Sequence, residues 1–198
     1  TEDAAEGYVQ FMRELSVKCR NNSLVLSVDV PVPMPYTEFY NRKELGVVSD
    51  YVIMMGYDEH YVGSEEGSVA SLPFEQQGIQ DMLKDVPAEK VISGIPFYTR
   101  LWKIDSKGEV SSEAIGMDMA DEYMTANNVT TNWSEETSQD YGEYQDSEGN
   151  TYKIWLENEA SIAEKVKLVK EYSLAGVAAW KLGFERASIW EVITKNME

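Results

Sequence analysis

Tyr51-Val52-Ile53-Met54-Met55-Gly56-Tyr57-Asp58 is the stretch from which the fold can be read. A run rich in β-branched and large apolar residues ends in a glycine, a phenol and a carboxylate, which predicts a strand over Tyr51–Tyr57 giving way to a loop. In α/β proteins such strand ends are where chemistry collects. Alternation places Tyr51, Ile53, Met55 and Tyr57 on one face and Val52, Met54 and Asp58 on the other. Tyr57 after Met55 is polar where packing alone would ask for Leu or Val.

Upstream, the chain opens at Thr1 into a helix: Asp3-x-x-Glu6 resembles a capping box, and Tyr8, Phe11, Met12, Leu15 and Cys19 fall at helical spacing. Ser23 to Val30 reads as a strand, closed by Pro31-Val32-Pro33-Met34-Pro35, which can continue neither element. A short helix is expected from Thr37 to Leu45. Downstream come a glycine-bearing polar loop, Gly63–Ser68, a helix near Pro73–Asp85, and a strand, Val91–Ile95, running into Pro96-Phe97-Tyr98-Thr99-Arg100-Leu101-Trp102. Ile162, Val166, Leu168 and Val169 mark a helix starting near Asn158, followed by a strand, Gly176–Trp180, and a last helix over about residues 187–194. This alternation predicts a parallel sheet wrapped by helices. The first helix has no strand before it, so the chain reads as the second half of a larger unit.

Between Lys103 and Lys153 the pattern breaks into polar, acidic sequence. A helix near Ser112–Asn127 and short β pieces at Val129–Trp133, Tyr141–Gln145 and Thr151–Trp155 predict a small α+β insertion, with Asp146-Ser147-Glu148-Gly149-Asn150 as a hairpin turn. The simpler reading is a long acidic surface loop, but unstructured loops of that length are uncommon.

The 198 residues carry 35 acidic against 17 basic side chains, a formal charge of -18. That balance disfavours nucleic acid and anionic membrane surfaces as partners and leaves a neutral polymer or small molecule. No apolar run approaches the roughly 20 residues that span a bilayer. Cys19 is the only cysteine and His60 the only histidine, so no intrachain disulfide and no Cys-rich metal site can form. Cys19 reads as a packed thiol, and no metal or cofactor is implied. A phosphate-binding barrel enzyme is disfavoured by the charge and by the lack of a glycine-rich phosphate loop.

Strand ends collect Tyr57 and Asp58, then Tyr98, Arg100 and Trp102, then Trp180 and Lys181. Aromatic faces with a few carboxylates and an arginine suit a sugar, whose C–H faces stack on rings while its hydroxyls meet polar groups. Core packing competes for each aromatic taken singly. Two readings stand for Asp29, pointing inward or reaching a loop, and two for Glu59, a sugar-binding rim residue or a solvated charge. His60 reads as a loop contact or rim residue.

Met55-Gly56-Tyr57-Asp58, the block Gly94–Trp102, and Gly176-Val177-Ala178-Ala179-Trp180-Lys181-Leu182-Gly183 together resemble the last strands of glycoside hydrolase family 18, the chitinase-like family. Tyr57-Asp58-Glu59-His60-Tyr61, with Gly67-Ser68-Val69-Ala70-Ser71, is most similar to its bacterial spore-cortex and cell-wall branch. The resemblance implies the C-terminal part of an eight-stranded (β/α)8 barrel: residues 1–102 as the fourth helix through the seventh strand, 103–153 as the insertion, and 154–198 as the last helices and strand. It implies hydrolysis of an N-acetylglucosamine-containing polysaccharide, chitin or peptidoglycan, by substrate-assisted retention, in a wall, spore-surface or extracellular setting. By the same resemblance Tyr57 orients the acetamido oxygen and Asp58 binds the same sugar. Trp180 floors the ring, Tyr98 and Arg100 line the cleft, Met55 packs beside Tyr57, and Glu59 binds at the rim.

The family's general acid ends a DxxDxDxE motif that does not occur in these residues. The expectation is therefore that the acid lies before residue 1, that this piece alone does not catalyse, and that exposed barrel edges favour self-association. A non-catalytic, lectin-like barrel with the same aromatic cleft is the alternative.

Overall fold

The structure, a computed structural model, describes residues 2–198; Thr1, counted above in the opening helix, lies outside the described residues. A 3-10 turn, Glu2–Ala4, leads into helix α1, Ala5–Asn21. Asp3 is held inside that turn and Ala4 takes the N-cap without a side-chain bond, so the expected capping box does not form. The helix buries Val9, Met12 and Ser16, whereas Phe11 is exposed and Cys19 half-buried. Strand β1, Ser27–Pro31, starts later than expected because Ser23, at φ 54, closes the helix as Leu24 N–H donates to the Cys19 carbonyl. Asn41, at φ 47, divides the expected Thr37–Leu45 helix into a 3-10 turn, Pro35–Tyr40, and helix α2, Arg42–Val48, which the Asn41 side chain caps.

Strand β2, Tyr51–Met55, ends earlier than the Tyr57 expected. Helix α3, Leu72–Met82, is capped by Ser71 with Pro73 in its first turn, and strand β3, Val91–Pro96, follows. These strands and the later Gly176–Trp180 strand form one parallel sheet, with Asp29 beside Ile53 and Pro31 beside Met55. One face packs Val28, Val30, Val52, Met54 and Val91 against Met12, Leu45, Ile79 and Met82 of the helices. Each such burial is worth about 1.5–3 kcal/mol. The other face, with Tyr51, Ile53 and Met55, stays partly exposed, as the opening stretch predicts through Met55.

Strands β4, Tyr98–Ile104, β5, Val110–Gly116, β6, Thr131–Ser134, β7, Gln139–Gln145, and β8, Thr151–Leu156, build a second, antiparallel sheet in the order β5-β4-β8-β7-β6. Helix α4, Met117–Ala126, covers it through Ala120 and Met124 packed on Ile115, Ile154 and Leu156. The expected helix over Ser112–Asn127 is thus strand in its first part: Val110–Gly116 pairs with β4 along its whole length, and that ladder overrides local propensity. The sheet runs from Tyr98 to Leu156, wider at both ends than 103–153. The hairpin turn forms as read, with Asp146 accepting from the backbone of Glu148 and Asn150.

Helix α5, Glu159–Glu171, opens on an Asn158–Ser161 capping box, followed by strand β9, Gly176–Trp180, and helix α6, Ile189–Met197. Ile95 and Phe97 pack with Ile162, Val166 and Ile189 in a further core. Arg186 binds Asp118, Asp121 and Glu159, tying α4 to α5. No helix among the described residues is long and apolar enough to cross a membrane.

Candidate active site

The end of β2 is fixed by backbone geometry. Gly56 N–H donates to the Gly94 carbonyl at 2.8 Å, and a Cβ on Gly56 would lie 2.8 Å from that oxygen, so a side chain there would push the two strands apart. Tyr57 follows, and Asp58 takes the left-handed conformation at φ 61, which Asp tolerates better than most residues. This turn breaks the alternation expected for Asp58. Its carboxylate comes round to the side of Tyr57, where the Tyr98 hydroxyl donates to Oδ1 at 2.6 Å. The Tyr57 and Tyr98 rings meet edge to face with centroids 6.1 Å apart.

Burial, then the charges of Asp29 and Asp58, pushes the Tyr57 phenol up to about 12. Burial and the hydrogen bond to Asp58 raise Tyr98 further. Both phenols are therefore neutral donors at physiological pH. The Tyr98 proton is committed to Asp58, while the Tyr57 hydroxyl has no hydrogen-bond partner among the described residues.

Met55, Tyr57 and Asp58 line one cavity of about 240 Å³ together with Met34, Tyr36 and Tyr61. Arg100 donates to Ser112 Oγ at 3.1 Å, and its charge opposes the rise at Tyr98. Trp180 ends β9 beside Pro96, 54% exposed, so its indole face is free to stack. Tyr57, Asp58 and Tyr98 thus form one contact cluster, with Met55 in the same cavity.

Glu59 stands apart from this cluster. Its Oε2 accepts from Ser71 N–H at 2.7 Å and its Oε1 from the Ser71 hydroxyl at 3.0 Å, which clamps the loop to the start of α3. His60 donates from Nδ1 to the Ser68 carbonyl at 2.9 Å, a loop contact; a Cβ on Gly67 would overlap its ring. Trp102 is buried and donates to the Gly67 carbonyl, so it holds the same loop rather than facing a ligand. Asp29 is exposed on the face of Tyr57.

The sequence reading did not single out Met34, Tyr36 or Tyr61. The proline run before Tyr36 was the available signal, since a segment unable to join either element is free to form a lip. A larger hollow of about 1300 Å³ between α1, the Pro33–Lys43 segment and Asp81–Asp85 contains none of the strand-end side chains, and its walls carry charges of both signs. Among the described residues no group of His, Cys, Asp and Glu is arranged to hold a metal ion.

The parallel sheet thus ends in Tyr57 and Asp58 after β2 and Trp180 on β9, with Tyr98 at the start of the antiparallel sheet that follows its third strand. The chain belongs to the glycosyl hydrolases family 18, whose family model matches residues 1–185. It is 30% identical over 179 residues to the putative sporulation-specific glycosylase YdhD of Bacillus subtilis (strain 168), covering 88% of this chain and 43% of that protein. It is 25% identical over 196 residues to the cortical fragment-lytic enzyme of the same organism, covering 96% and 46%. The solved chitinase of Chromobacterium violaceum ATCC 12472 superposes with a TM-score of 0.91 at 24% identity, over 100% of this chain and 63% of that one, a likeness of fold. The chain spans about half the length of the curated relatives it matches.

Proposed function

We propose that this chain is the back part of a (β/α)8 barrel that hydrolyses N-acetylglucosamine-containing polysaccharide, chitin or peptidoglycan, at a bacterial wall or spore surface. The observation that carries the reading is the Tyr98–Asp58 hydrogen bond of 2.6 Å beside an unengaged Tyr57 hydroxyl. Substrate-assisted retention asks the protein for orientation and charge stabilisation rather than a nucleophile. The Tyr57 hydroxyl donates to the acetamido oxygen of the bound sugar, holding it against the anomeric carbon. Asp58, fixed by Tyr98, accepts from the same acetamido group on its other side. Trp180 floors the ring, Met55 packs under Tyr57, and Arg100 lines the wall; Glu59, engaged by Ser71, is left out of this set.

The general acid of the family's motif is absent from residues 1–198, so this chain by itself releases no chromophore from a chromogenic chitobioside. Turnover that a substitution within the chain abolishes overturns that part of the reading. In the protein carrying the whole barrel, Trp180→Ala weakens binding of an N-acetylglucosamine oligomer by about tenfold. Tyr57→Phe weakens it by roughly threefold to tenfold, the worth of one hydrogen bond. Unchanged affinity in both variants rejects the cleft assignment. Sedimentation of the 198 residues tests whether the open edges at β1 and β9 pair with a second copy.

A further inference from the structure

Among the described residues two glutamates are buried, and they are treated differently. Glu157, which follows β8, accepts twice from Lys165 Nζ at 2.9 Å and once each from Ser161 and Gln139, so both oxygens are fully engaged. Glu75 of α3 is 0% exposed, its Oε1 accepts from Ser93 Oγ at 2.7 Å, and its Oε2 is buried with no partner. The same side chain lies against the turn of the site: a Cβ on Gly56 would sit 3.3 Å from Glu75 Cγ and 3.4 Å from Cδ. A packed core would place a Leu or Met here, and a salt-bridged one would give both oxygens partners.

We propose that Glu75 is a positioning residue for Gly56-Tyr57-Asp58, acting as an uncharged carboxylic acid wedged against Gly56 and anchored to β3 by Ser93. The charges that act on it are Lys165 of α5, which favours ionisation, and Glu157, which opposes it; its neighbours on β2 and β3, Gly56 and Ser93, carry none. Burial outweighs Lys165 and pushes the carboxyl up to about 8. When Glu75 loses its proton, the unpartnered oxygen must recruit water or the Lys165 ammonium. Either movement draws the side chain from Gly56 and shifts the peptide that carries Tyr57. The sign follows from linkage: the folded state holds this proton more tightly than the unfolded chain. The stability it contributes is therefore full below the usual glutamate range and is lost as pH rises through about 8.

Carbon-13 and nitrogen-15 NMR of the chain tests this without any ligand. The Glu75 carboxyl carbon titrates with a midpoint near 8, the Gly56 and Tyr57 amide signals move with the same midpoint, and Glu75→Gln, which keeps the shape and cannot ionise, leaves those amides still. A carboxyl that titrates in the ordinary glutamate range, or amides indifferent to its titration, overturns the proposal, and the wild-type chain alone decides both. An alkaline shift that persists in a folded Glu75→Gln overturns it as well. A second measurement rests on the sugar-binding reading: affinity for an N-acetylglucosamine oligomer falls above the midpoint in the wild type and stays flat in Glu75→Gln. If no oligomer binds at any pH, the sugar-binding reading fails while the amide titration still judges Glu75.

Discussion

On the parallel sheet the two polar side chains of the cavity, Tyr57 and Asp58, come after the ladder has ended, where β2 leaves Gly94 at Gly56 and the backbone turns through a left-handed Asp58, while Met55 lines it from the last ladder position. In the antiparallel sheet the neighbouring polar side chains come from within a strand: Tyr98, which donates to Asp58, and Arg100 belong to β4 and face Gly116 and Ala114 across a continuous pairing. One region holds its chemistry by a strained turn and close backbone approach, the other by a ladder and packed side chains. The first can place a phenol where alternation would not. The second supplies a wall whose position depends on how firmly the two sheets are joined.

The joint is a buried polar chain. Lys165 of α5 binds Glu157 at the end of β8, Gln139 of β7 donates to Glu157, and Ser68, in the loop after β2, donates to Gln139. Lys165→Ala leaves a buried carboxylate without its counter-charge, and denaturant melts should show a loss of about 3–5 kcal/mol. A loss small enough to match a surface ion pair would mean that the sheets are joined by apolar packing alone.

Gly56→Ala sharpens the contrast at the next scale. Its methyl meets backbone oxygen, and the expected cost is about 1–3 kcal/mol together with displaced Tyr57 signals. Gly142→Ala in β7 overlaps chiefly the flexible end of Met124, so it should cost less and leave Tyr57 in place. Equal effects would erase the distinction between a turn fixed by backbone and a sheet that repacks. Asn158→Ala, which removes the cap where β8 hands over to α5, should cost about 1 kcal/mol without disturbing either set of site signals.

The parallel sheet was legible because both periodicities agreed there: Val52 and Met54 are fully buried and Ile53 and Met55 partly open, as alternation requires. Family resemblance then pointed to Tyr57, Asp58, Tyr98 and Trp180 as one group; the contacts found among Tyr57, Asp58 and Tyr98 are compatible with that grouping. What was missed has physical causes. Ser112–Gly116 looked helical because an edge strand facing water carries polar residues, and only its pairing with β4 makes it a strand. The clamp of Ser71 on Glu59 gives no sequence signal, because nothing pairs residues 59 and 71 until the loop between them is folded. Glu75 gave no signal, since a glutamate in the first turn of a helix is ordinary until the Gly56 contact is seen.

The proline lip beside the cavity carries a consequence for the thermodynamics of any ligand. Pro31, Pro33 and Pro35 fix their own torsions, and the Arg42 guanidinium, itself buried, donates to the carbonyls of Pro31, Val32 and Thr37. That rim has little conformational entropy left to lose. On the proposed sugar-binding reading, a glycan settling against Met34 and Tyr36 would order those two exposed side chains but little of the backbone beneath them, so calorimetry of its binding should report mainly the stiffness of the sugar chain.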